Sequence, residues 1–403
     1  MFRLHNPIQR YAWGSRSAIA DLLGAPSPAP TPEAELWLGA HPSAPSQVVT
    51  PDGKRSLLEI IERDPQQHLG SDVSRAFGPR LPFLLKVLSA AAPLSLQAHP
   101  NAEQARAGYD AEESTGVSRH DPRRNYRDPR HKPELLCALG KFEALCGFRP
   151  VPATLRLLDA LDISPLRTSV DRLRARPNAD GLRELFAFLL QAPPELRRGL
   201  VEAALQGCAR LAAGRGEFAS QCSWALRLGR EYPGDIGVLG SLLLNLLVLR
   251  RGEAVSLPAG NLHCYLEGTG VEIMANSDNV LRGGLTQKHV DRDELLRVVD
   301  FTPSVVAPLL PEPLGPGERA YVTPFSEFRL SRIELESEWR GQTQGPEILL
   351  CTSGTASLTG PATELWPVRR GDSIFVSARQ GQYSLAGNAV LFRATVGDLH
   401  RES

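Results

Sequence analysis

The sequence predicts a mainly β protein that carries an all-helical insert. Three observations support that reading. The 35 glycines and 33 prolines among 403 residues exceed the usual combined share of roughly 12%, which favours strands and tight turns. Apolar residues at helical spacing concentrate in the middle of the chain, over residues 151–250. Short apolar runs bounded by turn residues occupy both flanks. At about 100–200 residues per domain, the length suggests two or three domains.

Residues 1–150 read as strand and loop. Ser46-Gln47-Val48-Val49 and the run Leu81 to Leu88 are strand candidates, interrupted by Pro and Gly nearby. Residues 25–32 form a proline-rich surface loop, and residues 56–69 and 101–108 read as short helices. Asn101 to Arg130 is a long, polar, arginine-rich excursion. In the insert, Leu155, Leu157, Leu158 and Leu161 share one helical face, as do Leu182, Leu185, Phe186 and Leu189. Leu200 to Ala213 continues the pattern, for five or six helices in all. Ile236 to Leu249 is the longest apolar stretch; it is too short to span a bilayer and reads as a buried helix.

Strands return after Arg251. Ala254 to Leu257 leads into the turn Pro258-Ala259-Gly260-Asn261, and two strands follow, Leu262 to Glu267 and Val271 to Asn276. Asp291 to Val299 is helical. Beyond Tyr321, short strands are expected around turns at Ser353-Gly354, Arg370-Gly371-Asp372 and Gly387-Asn388, as in a small sandwich or barrel. Both β-rich parts could be jelly rolls.

Charge and composition exclude several classes. The 45 basic and 45 acidic residues balance, which argues against a broad nucleic-acid-binding face. The start, MFRLHNPIQRYAWG, has no apolar core of a signal peptide. The six cysteines are scattered without a CxxC pair, and read as reduced thiols of a cytoplasmic protein. Only five residues are lysine (Lys54, Lys86, Lys132, Lys141, Lys288). A chain this rich in arginine that keeps a lysine hints at a need for a compact ammonium there.

Four segments could carry chemistry. In Ser95-Leu96-Gln97-Ala98-His99-Pro100, strand alternation puts Ser95, Gln97 and His99 on one face. Gln97 and His99 could share a metal, although spacing alone favours a buried polar strand end. In His131-Lys132-Pro133-Glu134, Lys132 and Glu134 share a face at the mouth of an apolar strand. A carboxylate there needs a partner, and a salt bridge to Lys132 is favoured over a metal. The turn at Gly260 is followed by His263, Tyr265 and Glu267 on one face. Gln97, His99, Glu134 and His263 together would make a mixed N/O site suited to Zn²⁺. Lastly, Glu272, Met274, Asn276 and Asp278 share parity, with Arg282, Lys288 and His289 beyond. Such charges near a metal suit a phosphorylated, polyhydroxylated ligand, while alone they read as a polar hairpin. His5, His68, His120 and His400 read as surface residues, His41 has no evident role, and Trp13 fits a pocket wall or the core.

The segments NPIQRYAWGS, AELWLGAHPSAPS, LPFLLKVLSAAAPLSLQAHP, HKPELLCALGKFEALCGFRP and LPAGNLHCYLEGTGVEIMANSDNVLRGGLTQKHVD closely resemble those of type I mannose-6-phosphate isomerases, the phosphomannose isomerases. They occur in family order and span residues 1 to about 301. The resemblance implies a cupin-type (jelly-roll) double β-barrel with an all-α domain. Residues 1–150 with 251–305 would form the catalytic barrel, 151–250 the helical domain and 306–403 a second cupin-like domain. It implies one zinc per chain, with ligands at Gln97, His99, Glu134 and His263. The active-site arginine falls on Arg282, and Lys86, Ser95, Lys132, Glu272, Asp278 and Lys288 match other active-site positions.

The implied reaction interconverts mannose 6-phosphate and fructose 6-phosphate through a cis-enediol, in mannose metabolism and GDP-mannose supply. Glu272 is the ordinary candidate base; Lys132 serves only if neighbouring cations favour its neutral form. Arg282 would stabilise enediolate charge, and Lys288, Lys86 and Ser95 would meet phosphate. Asp278 would bind substrate. A monomer in the cytoplasm, with no membrane or nucleic-acid partner, is expected. The chain departs from the family pattern at Arg130, Gln287 and Cys264, where Asn, Pro and Ala are usual. Two other readings stay open: a cupin iron oxygenase using two histidines and a carboxylate, and a non-catalytic sugar-phosphate-binding protein.

Overall fold

The computed structural model describes residues 1–50, 53–360 and 365–399. Two large sheets dominate it, one of ten strands and one of eleven. The ten-stranded sheet is built from residues before Phe148 and after Leu244, and includes the strands Glu35–Leu38, Phe83–Ala90, Glu134–Ala138 and His263–Ala275. The eleven-stranded sheet gathers the C-terminal strands and takes in three N-terminal ones: Phe2–His5, which pairs with Ser373–Val376, and Gln47–Thr50 and Gly53–Ser56 beyond it. Leu36, Val87, Val271 and Ile273 of the first sheet and Leu330, Ile348 and Phe392 of the second belong to one buried cluster. That shared core holds the sheets together by apolar burial.

From Val151 to Leu242 the described regular elements are helices alone. Their apolar stripes converge on Leu157, Leu173, Leu185, Leu200 and Leu228, packed against Leu96, Leu262 and Leu281 beneath the candidate site. The insert therefore supports the site strands from outside.

Three sequence expectations are corrected. Ile236 to Leu249 is not one helix: a helix Gly237–Leu242 passes into a strand Leu244–Leu249. The strand pairs antiparallel with Phe142–Phe148. An open sheet edge supplies hydrogen-bond partners that a local apolar pattern cannot reveal. Leu262 to Glu267 and Val271 to Asn276 are not two strands but one, His263–Ala275. Gly268 sits at φ 137°, and a Cβ there would lie 2.6 Å from the Phe142 ring. Glycine lets the strand bend and change partners without breaking. Likewise, Ser353-Gly354 and Gly387-Asn388 are not turns; they lie inside the paired strands Glu347–Thr359 and Gln382–Thr395. A Cβ on Gly387 would meet Thr355 O at 2.5 Å, so glycine there permits close strand approach. The Arg370-Gly371-Asp372 turn does separate two strands.

Smaller differences follow local chemistry. The helix expected at 101–108 runs over Ala102–Ser114, opened by a capping box between Asn101 and Gln104. His68 is buried, with its ring against Phe2 and Phe375 and Nδ1 2.8 Å from Ser377 Oγ; His400 lies outside the described residues. Among the described residues, no helix is long and apolar enough to cross a membrane.

Candidate active site

Strand register builds the site. His263 pairs with Gln97, and Arg282 pairs with Gln97 from the other side. Glu134 opens its strand opposite Met274. Lys86 lies between Trp37 on one neighbouring strand and Glu272 on the other. These pairings bring segments from three parts of the chain to one cavity of about 610 Å³. Gln97, Glu134, Lys86, Ser95, Lys132, Glu272, Asp278, Arg282 and Lys288 all line it, while buried His99 and His263 stand against Glu134.

The His99, Glu134 and His263 ligand atoms lie within 4.8 Å of one another. His99 Nδ1 donates to Asn279 O at 2.7 Å, and His263 Nδ1 donates to Asn261 O at 3.0 Å. A carbonyl only accepts, so each Nδ1 carries a proton and each ring turns its Nε2 towards the centre. Gln97 Nε2 is 3.3 Å from His263 Nε2; a half-turn of the amide brings its oxygen to the same place. His99 Nε2 and Glu134 Oε2 are buried with no hydrogen-bond partner among the described residues. Burial lowers His99 to about 4, so its imidazole is neutral at physiological pH. Burial would raise the Glu134 carboxyl, but the Lys132 ammonium, 3.0 Å away, holds it well below the usual range. An anionic carboxylate beside two imidazoles and an amide is a fitting donor set for one divalent cation.

A family model described as the phosphomannose isomerase type I catalytic domain matches residues 1–151. Mannose-6-phosphate isomerase of Escherichia coli (strain K12) is 38% identical, covering 98% of this chain and 99% of its own length. The chain belongs to the type I mannose-6-phosphate isomerase family. The Bos taurus enzyme of that name is 31% identical, covering 98% of both chains. A variant of phosphomannose isomerase from Salmonella typhimurium superposes with a TM-score of 0.90 at 36% identity, covering 99% of this chain and 100% of that one. A zinc-bound mannose 6-phosphate isomerase does so with the same score and identity, over 98% and 99% of the two chains.

Beside the candidate metal-ligand cluster, this isomerase carries a buried network of charged side chains. Lys86 Nζ lies 3.1 Å from Glu272 and 3.7 Å from Glu35. Tyr265 donates its hydroxyl to Glu272 at 2.9 Å, and Trp37 Nε1 donates to Glu35 at 2.7 Å. Burial raises the Glu272 carboxyl, opposed by Lys86. Asp278 stands at the rim, 3.4 Å from His41 Nε2; burial would raise its carboxyl, but His41, Lys132 and Arg127 together lower it. Of the five lysines, Lys86, Lys132 and Lys288 line the cavity, while Lys54 and Lys141 are exposed elsewhere.

Sequence reasoning missed several residues of the cavity. Glu35 is buried within the apolar run Leu36-Trp37-Leu38; a carboxylate there needs a cation, which was a readable signal. His41 acquires a role only through Asp278, far off in sequence. Arg127 also lines the cavity, and nothing distinguished it among so many arginines.

Proposed function

We propose that the chain is a zinc-dependent aldose–ketose isomerase acting on mannose 6-phosphate and fructose 6-phosphate. One observation carries the reading: a divalent-cation ligand set, a buried carboxylate held by a lysine and a cluster of cations share one cavity. His99, Glu134, His263 and Gln97 would hold the zinc. Bound there, zinc supplies Lewis-acid polarisation of the substrate's oxygens.

This chain's own side chains account for the proton transfers. With the sugar ring open, Glu272 takes the proton from C2, the C2–H electron pair becomes the C1=C2 bond of a cis-enediol, and O1 takes up the equivalent of the proton that O2 gives up. The C2 carbonyl then forms from the O2 electron pair, and the C1=C2 pair takes back the Glu272 proton at C1. Atoms and electrons balance without an oxidant. Burial favours Glu272 as base, because it raises the carboxyl's affinity for a proton. The Lys132 ammonium is engaged with Glu134 at 3.0 Å, so Lys132 acts as a fixed positive charge near the reacting oxygens. Arg282 offsets enediolate charge. Ser95 and Asp278 contact sugar hydroxyls, Lys86 orients Glu272, and Lys288 meets the phosphate.

The same reading extends to architecture and setting. Residues 1–150 with 251–305 are the catalytic cupin barrel, 151–250 the helical domain and 306–403 the second barrel, supported by the separation of most strands into two sheets. A monomeric enzyme belongs to the same reading. Its six free, buried cysteines fit the reducing cytoplasm, where its product would feed GDP-mannose supply.

A coupled assay of mannose 6-phosphate turnover tests the proposal, run on as-purified, chelator-stripped and zinc-restored protein. Activity lost on stripping and regained with zinc is expected. Absence of turnover in folded, zinc-loaded protein would sink the isomerase reading.

A further inference from the structure

The cavity divides electrostatically. Its buried cations are paired, Lys86 with Glu35 and Glu272, Lys132 with Glu134. A second group is not. Arg127, Arg282 and Lys288 line the same cavity, and none of them forms an ion pair among the described residues. They stand close enough to repel. Burial and then Arg127 lower Arg282; burial, Arg282 and Arg127 lower Lys288. Asp278 of the same cavity acts on Arg127 but is engaged by His41 at 3.4 Å, so the three clustered cations are stabilised when an anion joins them.

Arg127 is presented on a fixed backbone. Buried Arg124 donates to Tyr126 O at 2.7 Å, Val117 O at 2.6 Å and Glu113 at 2.6 Å. Asn125 donates its amide to Asp291 at 2.8 Å, and the Tyr126 hydroxyl bonds to Glu294. The backbone N–H groups of Arg127 and Asp128 both donate to Asn279 Oδ1, at 2.7 and 3.2 Å. Asn279 Nδ2 donates to the carbonyls of Asp128 and Arg130, at 2.7 and 2.8 Å. The segment 124–130 is thus held on both sides, while the Arg127 side chain is left without a hydrogen bond among the described residues. A free guanidinium on a rigid stem loses little order on binding, and its planar fork matches phosphate oxygens.

We propose that Arg127 is a substrate-binding residue that, with Lys288, grips the phosphate of the sugar phosphate and sets the preference for phosphorylated over neutral sugars, leaving neighbouring Arg282 to the enediolate. The proposal rests on the isomerase reading and names a residue that reading does not use.

The test uses the zinc-loaded full chain and two probes: mannose 6-phosphate in turnover and inorganic phosphate in calorimetric titration. Arg127→Gln is expected to raise KM and to weaken phosphate binding, each by roughly tenfold or more, with kcat within about twofold of the parent. Arg127→Lys should recover part of both losses, because the charge returns without the fork. Arg106→Gln, the same charge change on an exposed face of the Ala102–Ser114 helix, should alter neither. Unchanged KM and phosphate affinity in Arg127→Gln would overturn the proposal while leaving the isomerase intact. So would an effect confined to kcat, or an equal effect from Arg106→Gln. If the parent chain turns over no mannose 6-phosphate, the isomerase reading falls, and the phosphate titration alone then decides whether Arg127 belongs to an anion site.

Discussion

His99 and Asn279 lie 180 residues apart and are joined by a hydrogen bond of 2.7 Å from the imidazole Nδ1 to the Asn279 backbone oxygen. The same asparagine binds the backbone of Arg127, Asp128 and Arg130 through its side chain. One fully buried residue therefore orients a histidine of the candidate metal site and anchors the 127–130 segment beside the cavity.

Asn279→Ala should separate these roles. The backbone bond to His99 is retained, while the side-chain bonds to the loop are lost. Leaving buried backbone groups unpaired should cost at least about 2 kcal/mol, read by denaturant unfolding. KM for mannose 6-phosphate should rise as the loop loosens, with zinc content per chain unchanged. Loss of zinc would show that the loop and the histidine are not separable.

His99→Ala and Glu134→Gln should each lower zinc content well below one ion per chain, measured by elemental analysis after dialysis. Removing an inner ligand weakens the ion, and a bound ion stabilises only the folded state. Both variants should therefore melt at nearly the same temperature with and without added zinc. The parent chain should melt at a higher temperature with zinc.

Glu272→Gln should reduce kcat by roughly 10²–10⁴-fold with a smaller change in KM. As the base, Glu272 must be ionised. Its folded proton affinity is raised by burial, so kcat/KM of the parent should fall with decreasing pH at a value above the ordinary 4.5 of a glutamate. The residual activity of Glu272→Gln should lack that acid limb. An acid limb of the same position in the variant would assign the titration to another group.

The C-terminal sheet contains a buried charge cluster remote from the cavity. Arg393 donates to Glu347 at 3.0 and 2.8 Å and to Glu318 at 2.8 Å, and Tyr383 donates to Glu347 at 2.5 Å. Removing one member leaves uncompensated buried charge. Arg393→Met should destabilise the protein by about 3–5 kcal/mol, with KM and kcat of the remaining folded enzyme unaltered. A kinetic change at full folding would connect this sheet to the site.

Residues within one strand could be paired by chemistry from sequence alone, because side chains alternate with a period of two. That rule put Gln97 beside His99 and Lys132 beside Glu134, and the mixed N/O character of the ligand set followed. Helical spacing likewise marked the insert, since a 3.6-residue stripe is a local property. Other features depended on distant partners. Leu244–Leu249 becomes a strand because Phe142–Phe148 offers it an edge. The 263–275 strand stays continuous because Gly268 can bend against Phe142. Glu35 and Arg127 enter the cavity through neighbours that no short window contains. Sequence determined which side chains could hold a metal, a proton or an anion. Tertiary structure decided which of them face one another, because strand register and loop anchoring are fixed by hydrogen bonds and burial between segments far apart in the chain.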